Sequence, residues 1–162
     1  LGATVIGTVG SDAKAELAHN AGCQHTILYR EENFVERVRE LTGGRGADVV
    51  LHMANTPASF VEGIEMLKRG GMMLEMGNFA DTGEVSLTVH RHVCSKNLRL
   101  IGLPNHPSTG YGPALRLLER YADRYPFAKM VSHEFGLADA EQAMRTSMST
   151  DSMKVAIVPD RG

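Results

Sequence analysis

The chain is 162 residues long, with 43% hydrophobic and 22% charged residues and 17 basic against 19 acidic side chains, for a net charge of -2. That length supplies one well-buried core or a little more, and the mixed charges leave no basic block for a nucleic-acid backbone, so no nucleic-acid partner is expected. No run of about eighteen apolar residues is present to cross a bilayer, and Cys23 and Cys94 form no CxxC pair, so neither a disulfide framework nor a zinc ribbon is indicated, and a reducing cytoplasm is the default compartment.

The opening Ala3-Thr4-Val5-Ile6-Gly7-Thr8-Val9 reads as a buried strand that turns through Gly10-Ser11. Asp12 suits the N-cap of a helix through about Ala21, because its carboxylate accepts from exposed first-turn amides, and Gly22 closes that helix. A short strand at about Thr26 to Tyr29 follows. Asn33 to Thr42 is an amphipathic helix with Phe34, Val35, Val38 and Leu41 on one face, and Gly43, Gly44 and Gly46 break the chain after it. Asp48 to Met53 is nearly continuous in apolar residues, the pattern of a strand covered on both faces. Thr56-Pro57 starts a helix to about Lys68, Gly70-Gly71 closes it, and Met72 to Met76 forms another buried strand.

From Gly77 the chain turns polar. His90 to Lys96 reads as a short helical turn, Leu98 to Gly102 as a last sheet strand, and Pro104-Asn105-His106-Pro107 as punctuation. A helix from about Tyr111 to Tyr125, a broken apolar stretch to Phe135, a helix from Asp139 to about Met148 and a strand at Lys154 to Val158 complete the order. Strands alternating with helices predict an α/β fold, a doubly wound parallel sheet of Rossmann type with right-handed crossovers. The domain division is placed at residues 1–103, dinucleotide-binding, and 104–162, a helix-rich return segment.

In a dinucleotide-binding βαβαβ unit the second strand ends beside the adenosine ribose, where an Asp or Glu bonds the 2′-hydroxyl of NAD. Here the strand ends at Val9 with no carboxylate, and Ser11 and Lys14 follow. A hydroxyl and a cation suit a ribose bearing an extra phosphate, so NADP is favoured, with NAD the alternative. The competing reading has Ser11 as a turn or cap residue and Lys14 as a solvated helix residue. The Gly-rich loop that should precede this strand is expected before Leu1, so the chain reads as a truncated piece of a nucleotide-dependent oxidoreductase.

This order, with Thr8-Val9-Gly10-Ser11-Asp12-Ala13-Lys14, Gly43-Gly44-Arg45-Gly46-Ala47-Asp48-Val49-Val50, Gly70-Gly71 before a strand ending in Gly77, and Met153-Lys154 before the final strand, resembles the medium-chain dehydrogenase/reductase superfamily. The likeness runs from Leu1 to Pro159. The first part is more similar to the quinone reductase branch, and Asn97 to Val158 to the zinc-dependent alcohol and polyol dehydrogenases. The resemblance implies hydride transfer between a nicotinamide dinucleotide and a small-molecule alcohol, carbonyl or activated alkene. It places Ser11, Lys14 and Tyr29 at the adenosine end. Met53 and Ala54 lie along the cofactor, Met76, Gly77, Asn78, Leu103 and Asn105 flank the nicotinamide, and Lys154 lies near the pyrophosphate. It also implies that the GxGxxG turn, the proton relay and any zinc ligands precede Leu1, so no catalytic or metal-ligating residue is assigned here. The resemblance further implies a homo-oligomer paired through the last sheet strand.

In the strand order 3-2-1-4-5-6 the preceding strand stands at the sheet centre, between the strands at Ala3 and Asp48. Without it the two halves cannot hydrogen-bond directly, and the isolated piece is expected to bind cofactor poorly and to turn over no substrate. Such a piece could serve instead as an inactive nucleotide-binding or dimerisation module.

Other residues have simpler readings. His90, His92 and Cys94 are good zinc-ligand types, but this spacing cannot place all three on one helix face. His52 reads as a hydrogen-bonded core histidine, and Lys68-Arg69 as cations at a helix C-terminus. Met72, Met73 and Met76, like the rest of the nine methionines, read as core filler, and Cys23 has no activating partner.

Overall fold

The computed structural model describes residues 2–103, 105, 107–149 and 151–159, so the punctuation read at Pro104 and His106 lies outside the described residues. The chain divides into two compact units, Leu1–Tyr111 and Gly112–Gly162.

The first unit opens with β1 (Ile6–Val9), α1 (Asp12–Asn20) and β2 (His25–Leu28), the two strands parallel with Ile6 opposite His25 and Val9 opposite Leu28. The N-cap of α1 is Ser11, not Asp12. A cap residue is extended while the next residue is already helical, and Ser11, at φ -162° and ψ 160°, accepts from the Lys14 amide at 3.4 Å. Asp12 sits one place inside, where its charge still meets the positive end of the helix. Helix α2 (Phe34–Leu41) is capped by Asn33, whose Oδ1 accepts from the Val35 and Glu36 amides at 3.1 and 3.2 Å, and buries Val35 and Val38.

A second sheet holds β3 (Ala47–His52), β4 (Leu67–Glu75) and β5 (Arg99–Gly102), all parallel and in that order, with α3 (Pro57–Met66) crossing between β3 and β4. Val50, Ile64, Leu67 and Met73 form its core, with Phe60, Leu87 and Leu98 packed around them. Among the described residues no ladder hydrogen bonds join β1 or β2 to this sheet. Helix α3 covers one face of β3, where Val50 and His52 are buried, but Val49 and Leu51 on the other face are 47% and 57% exposed. The expectation of a strand covered on both faces therefore fails: an apolar run identifies a strand but does not supply the second layer that would cover it.

Helix α3 also ends earlier than its sequence suggests. Leu67 is already extended, with ψ 140°, so Lys68 and Arg69 lie in β4 rather than at a helix C-terminus. Lys68 pairs with Asp48, and Arg69 Nη1 donates to the Ser95 carbonyl at 2.6 Å. The helix is closed instead by Lys96, whose Nζ donates to the Ile64, Glu65 and Leu67 carbonyls at 3.0, 3.1 and 2.9 Å. Those carbonyls face the C-terminal end, where intrahelical donors run out and partial negative charge gathers. Burial holds the Lys96 ammonium below the usual lysine range, with Arg39 and Arg91 adding to the shift and Glu65 opposing it.

In the second unit α4 (Tyr111–Tyr121), whose first residue closes the first unit, stops short of Tyr125. The Tyr125 ring instead sits 6.0 Å from Tyr121 and 5.9 Å from Phe127. The stretch before Phe135 contains a strand, β6 (Val131–Phe135), which pairs parallel with β7 (Lys154–Ile157) across α5 (Ala140–Ser147). Ser132, His133 and Glu134 dilute its apolar pattern, so the alternation that marks a strand was not legible. Its register is pinned by Ser132, whose hydroxyl donates to the Lys154 carbonyl at 3.1 Å and accepts from the Met153 amide at 3.0 Å. The methionines divide: Met73 is fully buried, whereas Met53, Met144 and Met148 are exposed and are not core filler.

Candidate functional site

Parallel strands bring their carboxyl ends to one edge of a sheet, and in open α/β sheets that edge is where ligands bind. The residues singled out from the first unit fall into two groups at such edges, and one further residue belongs to the second unit.

The first group follows β1 and β2. Tyr29, one residue past β2, folds back over the turn after β1, so that a Cβ on Gly10 would stand 2.7 Å from the Tyr29 Oη. Ser11 is next in the chain, and its Oγ carries the cap bond to the Lys14 amide. The capping role set against phosphate binding is thus real, yet a single long acceptor contact leaves the hydroxyl proton available. Among the described residues the Lys14 ammonium has no ion pair or hydrogen bond. The structure thus brings Ser11, Lys14 and Tyr29 to one edge that presents a cation and two hydroxyls.

The second group follows β3, β4 and β5. The Met76 amide donates to the His52 carbonyl at 3.0 Å, and the Leu103 amide to the Glu75 carbonyl at 2.8 Å, so the three strand ends are stitched together. Gly77 is buried against the β3 exit: a Cβ there would run into the Ala54 carbonyl and stand 2.7 Å from the Met53 carbonyl carbon. Only a residue without a side chain lets the two loops approach this closely. Met53, Ala54, Met76, Gly77, Asn78 and Leu103 thus form one surface, and Asn105 lies exposed just beyond it. Lys154 stands in the second unit, at the start of β7.

Beneath this surface lies a polar cluster whose centre, Glu75, sequence reasoning missed. Glu75 Oε1 accepts from the Gly77 and Asn78 amides at 2.9 and 2.8 Å and from Asn78 Nδ2 at 3.2 Å. Its other oxygen lies 2.5 Å from His52 Nδ1, an ion-pair contact, and neither of these two buried atoms makes a well-aligned hydrogen bond. His52 Nε2 meets Ser59 Oγ at 2.9 Å, and Ser59 Oγ donates to the Thr56 carbonyl at 2.8 Å. His52 is the hydrogen-bonded core histidine expected of it. The signal that marks Glu75 is a lone carboxylate at the end of an apolar strand, because a buried charge requires partners.

Elsewhere the polar groups are structural. His92 is buried, its Nδ1 accepting from the Thr88 amide at 3.0 Å on the π-helical turn His90–Cys94, while Cys94 is exposed. Among the described residues no three His, Cys, Asp or Glu side chains cluster as metal ligands, and no helix is long and apolar enough to cross a membrane. The hydrogen bond from Lys68 holds the exposed Asp48 carboxyl below its usual range. A groove of about 380 Å³ is lined by Tyr29, Asn33 and Arg39 with Glu32, Glu36, Glu62 and Glu65. Its acidic excess has the wrong sign for a phosphate ligand.

Residues 1–120 match the family described as zinc-binding dehydrogenase. The chain is 62% identical over 50 residues to a 2-haloacrylate reductase of Burkholderia sp, covering 31% of this chain and 15% of that protein. It is 28% identical over 160 residues to a sorbitol dehydrogenase of Halalkalibacterium halodurans, covering 98% of this chain and 46% of that protein. The crystal structure of an alcohol dehydrogenase from Thermotoga maritima superposes with a TM-score of 0.89 at 25% identity, over 98% of this chain and 44% of that one. The chain thus spans less than half the length of these proteins, which are oxidoreductases of the medium-chain type with a Rossmann-like nucleotide-binding fold.

Proposed function

We propose, from the premise that this chain belongs to the zinc-binding dehydrogenase family, that it is the cofactor-binding part of an NAD(P)-dependent medium-chain oxidoreductase acting on an alcohol or carbonyl. The observation that carries this reading is the stitched edge of β3, β4 and β5, with Gly77 pressed against Ala54. The residues at both edges fit a dinucleotide by their chemistry, a cation with hydroxyls in one group and a close-packed, largely uncharged surface in the other. When bound, the nicotinamide supplies or accepts the hydride, and the protein contributes position and electrostatics.

In this reading the Lys14 ammonium and Ser11 hydroxyl neutralise and bond the 2′-phosphate of NADP, with Tyr29 beside them. Met53, Ala54, Met76, Gly77, Asn78, Leu103 and Asn105 flank the nicotinamide half, and Lys154 offsets pyrophosphate charge. No acid, base or zinc ligand is assigned among residues 1–162. The 62% identity to a protein named as a haloacrylate reductase favours a second reading, metal-free reduction of an activated alkene or quinone by NADPH. A cytoplasmic location accompanies either reading.

The test is a fluorescence titration of the protein in its full natural length. NADPH should bind more tightly than NADH, and Lys14→Glu should weaken NADPH about thirtyfold or more, the size expected when a charged hydrogen bond becomes a repulsion, while leaving NADH within about threefold. An unchanged preference removes Lys14 from the site.

The reading extends to a homo-oligomer paired through the edge strand β5, whose Leu100 and Ile101 are 37% and 41% exposed, since such an edge requires cover. Light scattering should report a dimer or larger at micromolar concentration, and Ile101→Lys should shift it toward monomer. A wild-type monomer would refute the extension.

A further inference from the structure

We propose that Glu75 is a positioning residue for the nicotinamide end of the dinucleotide, holding the 76–78 turn in place through a buried partner, His52, anchored on α3. The proposal rests on the functional reading above and adds a role for two residues beneath the assigned surface.

The turn's donors are all satisfied from within. Met76 donates to His52, Gly77 and Asn78 to Glu75, and Phe79 to the Gly77 carbonyl at 3.0 Å. The Asn78 side chain is held at both ends, by Glu75 and by Thr82, whose hydroxyl donates to Asn78 Oδ1 at 3.3 Å. A turn with its amides occupied in this way serves a ligand through its shape, and that shape depends on one carboxylate oxygen. Hydrogen bonds from amides to a carboxylate are among the stronger kind, and three donors on one oxygen orient both residues at once.

The carboxylate must in turn be fixed. His52 is 5% exposed and Glu75 side chain 18% exposed, so neither is held by bulk water. His52 Nδ1 and Glu75 Oε2 stand 2.5 Å apart in ion-pair contact, so the ring lies directly against the carboxylate. The opposite ring nitrogen meets Ser59, which is tied to Thr56 at the N-cap of α3. Phe60 packs edge-on against the imidazole with ring centroids 6.1 Å apart. The chain of contacts therefore runs from a helix start, through a buried ring, to the turn.

The experiment compares Glu75→Ala, Glu75→Gln and His52→Phe in the full-length protein by hydrogen exchange of the peptide spanning residues 74–80 and by Kd for NADPH and NADH. Gln keeps an acceptor for the two amides and a donor for His52, so it should rescue what Ala loses. Glu75→Ala should raise exchange in that peptide at least about tenfold and weaken dinucleotide about tenfold, the factor for losing about one net hydrogen bond. Exchange at β6 and β7 should not change, and Glu75→Gln should stay within about threefold of wild type on both readouts. His52→Phe should follow the alanine variant at smaller amplitude. Equal loss in Glu75→Gln and Glu75→Ala, or a loosened peptide with unchanged Kd, overturns the positioning role. Failure of the wild-type protein to bind either dinucleotide overturns the functional reading, and the cofactor part of this proposal with it.

Discussion

At the end of β1 and β2 the side chains stand largely apart. Ser11 makes one long cap bond, Tyr29 leans over Gly10, and Lys14 meets no partner among the described residues. At the end of β3 and β4 the opposite holds, for His52, Glu75, Gly77 and Asn78 are joined by short contacts and mostly lie below the surface. The contrast suits the two tasks proposed above. A charged phosphate is best met by a cation that has no competing protein partner, whereas a flat ring is best met by a surface held in place. The same substitution should therefore have very different effects at the two edges.

Gly77→Ala should be the most damaging. The atoms a methyl would strike belong to the Ala54 and Met53 backbone, and backbone cannot swing aside as a side-chain tip can. Separating the loops would also pull on the Glu75 bonds, so we expect a loss of about 3 kcal/mol in urea unfolding, at the upper end for overpacking. Dinucleotide affinity should fall with it. A variant as stable as wild type would mean that the second edge is as pliable as the first.

Lys96→Met tests whether the second edge depends on the far end of α3. The methionine keeps most of the stem but leaves the Ile64, Glu65 and Leu67 carbonyls without their shared donor. The Ile64 and Glu65 carbonyls keep the Leu67 amide and Arg39 Nη2 as donors, and desolvation of a cation is relieved, so the net loss should be about 1 kcal/mol. Thermal unfolding by circular dichroism reads it. If the His52 to Glu75 cluster depends on α3, exchange at residues 74–80 should rise as well.

Much of this architecture was legible in the sequence, because glycines and small polar residues punctuate it. Asn33 caps α2 and Pro57 begins α3 where their backbone preferences place them. The parallel α/β order and the family resemblance followed from the same signals. What the sequence concealed were contacts between residues far apart. Lys96 reaches a helix end some thirty positions earlier, and no local rule links them. Glu75 and His52 lie on neighbouring strands opposite each other in register, which became visible only once the pairing was fixed. Strand β6 was missed because its centre is polar, and Asp12 took the cap position from Ser11 on propensity alone. Both residues are good caps, and backbone conformation decides between them.

Gly10→Ala should have the smallest effect, and it is the sharpest counterpart to the Gly77 substitution. The nearest atom to the new methyl is the Tyr29 Oη, followed by ring atoms at 3.2 and 3.4 Å. Tyr29 is 46% exposed, so its ring can rotate toward solvent without opening a cavity. Gly10 is not among the glycines of positive φ, so alanine fits its backbone conformation. The loss of freedom in the unfolded chain then stabilises by about 0.4–1 kcal/mol, which offsets most of the displaced contact. Unfolding midpoints should therefore change by less than about 0.5 kcal/mol equivalent, while NADPH affinity falls a few-fold because Tyr29 has moved from the edge proposed for the adenosine. Should Gly10→Ala destabilise the protein as much as Gly77→Ala, the first edge would be rigid too, and the division between a loosely tied edge and a tightly bonded one would not stand.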